Sequence, residues 1–258
     1  MRRRCILAIA TGLLLATAAS ARAQSGFGRG RDVPEILPNP RYDGRFVFAR
    51  LSFTPSLGEA GFMGRVDRKW DHDYPRAERH FMQILREITS LRPLLDESSV
   101  FALDDPELHK YPVSYMSEPG FWGPTDAEVE GLRRYLAKGG FVIFDDFAGP
   151  MQWSNFEAQM RRVVPDGRLV QLDRTHPIFD SFYRIESLDF THPYYGVASA
   201  FYGMFEGNDP AKRLLLIANF NNDIGDLWEF SDTGFFSVNL SNEAYKLGVN
   251  YVVYAMTR

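Results

Sequence analysis

The chain of 258 residues carries 29 basic and 33 acidic side chains, a net charge of −4, with 45% hydrophobic and 14% aromatic residues. That is enough for one large domain with a sizeable core. The acidic balance argues against nucleic acid or an anionic membrane surface as a partner.

Residues 1–23 read as an export signal. Arg2, Arg3 and Arg4 precede an apolar run from Ile6 to Ala19, and Ala21-Arg22-Ala23 offers small residues to a signal peptidase. The apolar run falls short of the ~20 residues of a spanning helix, so no transmembrane segment is expected in the mature chain. Arg3-Arg4-Cys5-Ile6-Leu7 also fits a loose twin-arginine pattern. Cleavage after Ala23 would remove four arginines and no acid, giving 25 basic against 33 acidic residues, a net charge of −8. It would also remove the only cysteine, Cys5. Disulfides, thiolate metal sites and a cysteine nucleophile are then excluded together. A periplasmic or secreted location is expected.

Residues 24–44 are rich in Gly, Pro and Arg without apolar period and read as an arm; residues 45–258 read as a single α/β domain. Phe46 to Phe53 is a strand, apolar on both faces except at Arg50 and Ser52, as suits a parallel strand buried on both sides. A loop of about twenty residues leads to Trp70-Asp71-His72-Asp73-Tyr74-Pro75-Arg76; loops of that length are usually functional or insertional, and this one reads as ligand-contacting or purely structural. Phe81, Ile84, Leu85, Ile88 and Leu91 then repeat at helical spacing. Strands are expected at Val100–Leu103 and Tyr111–Ser117. Thr125 to Glu128 is a capping box for a helix striped by Val129, Leu132 and Leu136. After Gly139-Gly140 comes a strand over 141–144. A second capping box, Ser154 to Glu157, predicts another helix. Further strands are expected at 168–172 and 214–218, an irregular aromatic stretch at 178–208, and a closing helix from Asn242 to Met256. Strands alternating with helices indicate a three-layer α/β sandwich with a mainly parallel central sheet.

The strand over 141–144 delivers Asp145 and Asp146 to its carboxyl end, where α/β proteins place their sites. Such a carboxylate can bind a cation, act as a base or receive substrate hydroxyls; it can equally cap neighbouring amides. Side chains alternate along an extended strand, so at most one of the pair would enter a given pocket. Asp71, His72 and Asp73 are chemically adequate metal ligands, but three adjacent residues in extended chain cannot face one ion, so no metal is expected. Asp73 reads as a cap for the helix after Pro75, with Trp70 and Tyr74 packing or stacking on a ligand. No H-E-x-x-H, G-x-S-x-G or G-x-G-x-x-G pattern occurs, and no cofactor is expected. His176 and His192, each followed by proline, read as packed or surface histidines. Asn219 to Trp228 suits either hydroxyl recognition or a tight turn.

F-V-F-A-R-L-S-F, W-D-H-D-Y-P-R-A-E-R, D-D-P-E-L-H-K-Y-P, L-R-R-Y-L-A-K-G-G-F-V-I-F-D-D-F, H-P-I-F and A-Y-K-L-G-V-N-Y-V-V-Y-A occur in this order. Over residues 45–257 the chain resembles the bacterial domain-of-unknown-function family 4159. The resemblance implies a class I glutamine-amidotransferase-like fold with a flavodoxin-like wrap, in exported or membrane-associated proteins. Catalytic members of that wider fold carry a cysteine at the turn after this strand. Asp145 or Asp146 stands there instead, and an ionised aspartate is a poor acyl nucleophile. The segment at His176-Pro177-Ile178 resembles one from non-catalytic or sugar-related branches.

The expectation is a non-catalytic module of the cell envelope, binding an envelope protein or a small polar or saccharide ligand. Its pocket would be lined by Trp70, Asp73, Tyr74, Arg76, Asp145, Asp146 and Asn221. The alternative is a hydrolase or transferase acting on a saccharide or envelope substrate through Asp145 or Asp146.

Overall fold

The computed structural model describes residues 35–59, 66–95 and 99–258. The expected signal peptide and residues 24–34 of the arm lie outside the described residues.

Seven strands form one sheet: β1 (Ala49–Ser52), β2 (Ser99–Ala102), β3 (Val113–Ser117), β4 (Phe141–Phe147), β5 (Val170–Gln171), β6 (Ala200–Phe205) and β7 (Leu214–Phe220). Their order is β2-β1-β3-β4-β7-β6-β5. The first five in that order are parallel, and β6 and β5 add antiparallel at the far side. The helices are α1 (Arg76–Ile88), α2 (Asp126–Ala137), α3 (Gly149–Val163), the short α4 (Ile224–Glu229) and α5 (Val238–Thr257).

Strand alternation sorts the core into two faces. Phe48, Tyr115, Ile143 and Ile217 pack with Phe81, Leu85, Trp228 and Tyr251 from α1, α4 and α5. Ala49, Leu51, Val142, Phe144 and Leu216 pack with Leu132, Phe156 and Met160 from α2 and α3 on the other side. Helices therefore cover both faces of a mostly parallel sheet, the architecture expected from the alternating pattern. Among the described residues no helix is long and apolar enough to cross a membrane.

Local signals account for several boundaries. Thr125 accepts the Glu128 amide at 3.2 Å while Glu128 takes the Thr125 amide at 2.7 Å, a complete capping box worth about 1 kcal/mol. The second expected box is not used. Ser154 lies inside α3, which begins five residues earlier at Gly149-Pro150, where proline suits the first turn. The stretch 178–208 is less irregular than expected, because it contains β6. That strand, AFYGMF, lacks a clean apolar alternation and owes its form to pairing with β7.

The strand carrying Asp145 and Asp146 runs to Phe147 instead of ending at Phe144. Phe144 pairs with Ala218 and Phe147 with Phe220, so β4 spends one more residue than β7 over this interval. The extra residue makes a bulge, with Asp146 at φ 58°. Bulges re-aim side chains, and they concentrate beside sites.

Candidate functional site

Parallel strands β1, β3, β4 and β7 all release their chains at one edge, which gathers four loops there. Asp73 comes from the loop before α1, Glu118 follows β3, Asp145 and Asp146 close β4, and Asp223, Asp226 and Glu229 follow β7. His192 and Tyr195 arrive from the loop before β6.

Asp145 and Asp146 are adjacent in sequence and separate in role. Asp145 is fully buried and accepts four hydrogen bonds: from Tyr115 Oη (2.8 Å), Asn219 Nδ2 (2.9 Å), and the Ile224 (2.8 Å) and Gly225 (3.0 Å) amides. Tyr251 Oη donates to Asn219 Oδ1 at 2.9 Å, which fixes that amide's orientation. Burial pushes the Asp145 carboxyl up to about 7, against the pull of these donors. The residue anchors the start of α4 and offers nothing to a ligand.

Asp146 faces the other way. Tyr195 Oη donates to its Oδ1 at 2.6 Å and Ser117 Oγ to its Oδ2 at 3.2 Å. Its left-handed backbone is uncommon for a side-chain-bearing residue. Lys69, Asp73, Glu118 and Asn221, at the same edge, share that conformation. Strain of this kind collects at sites, at a cost of order 1–3 kcal/mol each.

Around Asp146 the carboxylates form overlapping sets. Oxygens of Asp73, Asp146 and Asp223 lie within 4.8 Å of one another; so do those of Asp73, Asp226 and Glu229; so do a ring nitrogen of His192 and oxygens of Asp223 and Asp226. Asp73, Asp146 and Asp223 are all buried. Asp73 Oδ2, in this company, has no hydrogen-bond partner. Burial, reinforced by Asp226, Asp146 and Glu229, holds the Asp73 carboxyl well above the usual carboxylate range. Burial, then Asp146 and Asp73, does the same to Asp223. Burial with Asp146 pushes Asp226 up to about 7.

A further set, Asp67, His72 and Glu118, differs in already holding a cation. Lys69 Nζ lies 2.7 Å from Asp67 and 3.4 Å from Glu118, and His72 contacts both acids at 3.1 Å. Burial and the nearby Asp146 still push Glu118 up to about 8.

Arg50 places the loop that carries Asp73. Fully buried in β1, it pairs with Glu78 of α1 and donates to the Trp70 (2.8 Å) and His72 (2.9 Å) carbonyls. Burial opposes its charge, but Glu78 and the Tyr115 ring hold it protonated with a raised pKa. The isolated arginine in an apolar strand was the visible sign of this role.

Of the seven residues expected to line the pocket, the edge brings Asp73, Asp145 and Asp146 together. Asp73 is not the expected side-chain cap. Its carbonyl accepts the Ala77 amide, and α1 starts at Arg76 with Pro75 at its N-cap and no side-chain cap. Trp70 and Tyr74 are buried, with Arg68 and Arg50 over their rings, so they pack and do not present a stacking face. Arg76 pairs with Asp232 at 2.5 Å, over Phe230. Asn221 ties loops together, accepting the Gly149 amide at 3.1 Å and donating to the Ala198 carbonyl at 3.3 Å. The spacing argument concerns only adjacent residues, which diverge here: Asp73 turns to Asp146 and Asp223, while His72 turns to Asp67 and Glu118, with its Nδ1 also 3.9 Å from Asp146 Oδ2. It cannot see ligand sets assembled from several loops. Asp223 and Asp226 were within reach of the sequence as a D-x-x-D pair in a segment already marked as polar; His192 was marked by its following proline but read as a packed or surface histidine, and Glu118 and Tyr195 had no signal.

The family model of a domain of unknown function, DUF4159, matches residues 48–256. The chain belongs to this family. No curated protein matches it.

Proposed function

We propose that the carboxyl edge of the sheet is a divalent-cation site, and that the domain is an exported, cation-dependent binding module. The observation that carries this is Asp73: its buried Oδ2 has no hydrogen-bond partner, and one of its carboxylate oxygens lies within 4.8 Å of oxygens of Asp146 and Asp223. Buried carboxylates in such numbers demand a counter-charge, and the lysine at this edge is engaged by Asp67 and Glu118. An all-oxygen set of three carboxylates suits Ca²⁺, Mg²⁺ or Mn²⁺ better than zinc. Ser117 and Tyr195 would orient Asp146 as outer-shell donors. The N-terminal signal pattern supports an envelope location.

The strand order supports a flavodoxin-like wrap of the class I glutamine-amidotransferase type. In that wrap, Asp145 and Asp146 stand at the turn that holds a thiol in catalytic relatives. A second reading, a hydrolase or transferase, is favoured by Asp226, a partly exposed carboxyl held near 7, where a general base works well. The residues for that chemistry are not Asp145 with Asp146, since they take different partners, but Asp146 with Asp73, Asp223 and Asp226.

Isothermal titration of the purified protein with Ca²⁺, Mg²⁺ and Mn²⁺ tests the site. Binding in wild type that disappears in Asp223→Asn is expected. No heat and no thermal shift with any of the three ions would remove the reading.

A further inference from the structure

The acid pocket continues outward into an aromatic shelf. Tyr194 and Phe235 are about half exposed, at 51% and 48%, with ring centroids 6.2 Å apart. Phe236 supports both from beneath, edge-on, at 5.8 Å and 4.9 Å. His192 joins shelf to pocket: its ring lies 5.4 Å from that of Tyr194, and one of its nitrogens belongs to the set with Asp223 and Asp226. Burial, then the negative field of Asp226 and Asp223, pushes the Tyr194 hydroxyl up to about 12, which places this ring within the influence of the acids.

Acids beside aromatic faces would suit either an organic ammonium or a sugar. His192 separates the two. It is fully buried. Its Nδ1 accepts the Tyr194 amide at 3.4 Å, which leaves the proton on Nε2, and Nε2 has no hydrogen-bond partner. A buried donor without an acceptor calls for a ligand oxygen. An ammonium group brings no acceptor. A sugar brings hydroxyls that accept, vicinal oxygens that can replace water on a hard cation, and an apolar C–H face for aromatic rings.

We propose that this edge binds a saccharide, with ring faces on Tyr194 and Phe235, a hydroxyl accepting from His192 Nε2–H, and vicinal hydroxyls on the cation held by Asp73, Asp146 and Asp223. This rests on the cation site argued above and names its ligand class.

The test titrates the purified protein with N-acetylglucosamine and glucose oligomers, and with choline, in Ca²⁺ and in EDTA. The same titrations follow on Tyr194→Ala/Phe235→Ala and on His192→Phe. Wild type should bind an oligosaccharide in Ca²⁺ and lose it in EDTA. The double alanine variant should bind it about tenfold more weakly or worse, with Ca²⁺ affinity within about twofold of wild type. His192→Phe should also weaken the sugar. Ca²⁺ binding with no response to any oligosaccharide, or with choline binding instead, overturns the saccharide and leaves the cation site standing. Unchanged sugar affinity in the double variant overturns the shelf. Absence of Ca²⁺, Mg²⁺ and Mn²⁺ binding overturns both.

Discussion

Gly225 stands where a side chain would collide with Asp73: a Cβ built there lies 2.5 Å from Asp73 Oδ2 and 2.6 Å from Tyr115 Oη. The same glycine donates its amide to Asp145 at 3.0 Å. One position thus couples the buried anchor of α4 to the carboxylate that lacks a partner.

Gly225→Ala should push Asp73 out of its set. We expect cation affinity to fall at least tenfold, with a loss of about 1–3 kcal/mol in stability from overpacking. Titration calorimetry and urea unfolding read the two effects separately. Wild-type affinity in this variant would show that Asp73 does not hold the ion.

Asp145→Asn and Asp146→Asn should behave in opposite ways. At Asp145 the amide would set its own donors against some of four converging donors, costing about 2–4 kcal/mol. At Asp146 the change removes one negative charge from a crowded set, and asparagine tolerates the left-handed backbone. Stability without metal should hold or rise, while cation binding is lost. Paired urea melts and titrations of the two variants decide this; equal destabilisation would contradict the division of roles.

The acids give the metal-free protein an unusual pH response. Asp226, raised to about 7, and Glu118, raised to about 8, hold protons in the folded state that the unfolded chain has released. Their contribution is complete below about pH 4, the unfolded carboxyl range, and is lost as pH rises through 7 and 8. His192, lowered to about 4, works in the opposite direction, but only between about 4 and 6.5. Between pH 6.5 and 8 the melting temperature in EDTA should therefore fall. Saturating Ca²⁺ should flatten or reverse that slope, since bound ion replaces the protons. A melting temperature in EDTA that climbs across this window would count against acids held protonated by burial and mutual repulsion.

Arg50→Met should leave Glu78 buried and unpaired, at a cost of about 3–5 kcal/mol. Arg50→Met/Glu78→Met should recover most of that loss. It should not recover cation affinity, because the Trp70 and His72 carbonyls still lack the donor that holds the Asp73 loop. Recovery of both quantities together would reduce Arg50 to a packing role.

Composition and pattern determined the layer architecture. Two apolar faces on short strands, alternating with striped helices, leave a covered parallel sheet as the way to bury both. The same local reading found the Thr125 capping box and the strand ending in Asp145-Asp146, because those signals lie within a few residues of one another. It missed β6 and α4, whose conformations are imposed by pairing with β7 and by the Asp145 carboxylate. The site was legible only in fragments: Asp73, Asp145 and Asp146 stood out, but nothing local told the anchoring aspartate from the open one. Tertiary structure decided that through a one-residue bulge, which turns Asp146 away from the four donors that saturate Asp145. It also brought Asp73, Asp146 and Asp223 from three distant loops to within 4.8 Å of one another. Chain periodicity governs what is buried. Which charges meet at the edge depends on where parallel strands end, and no local pattern records that.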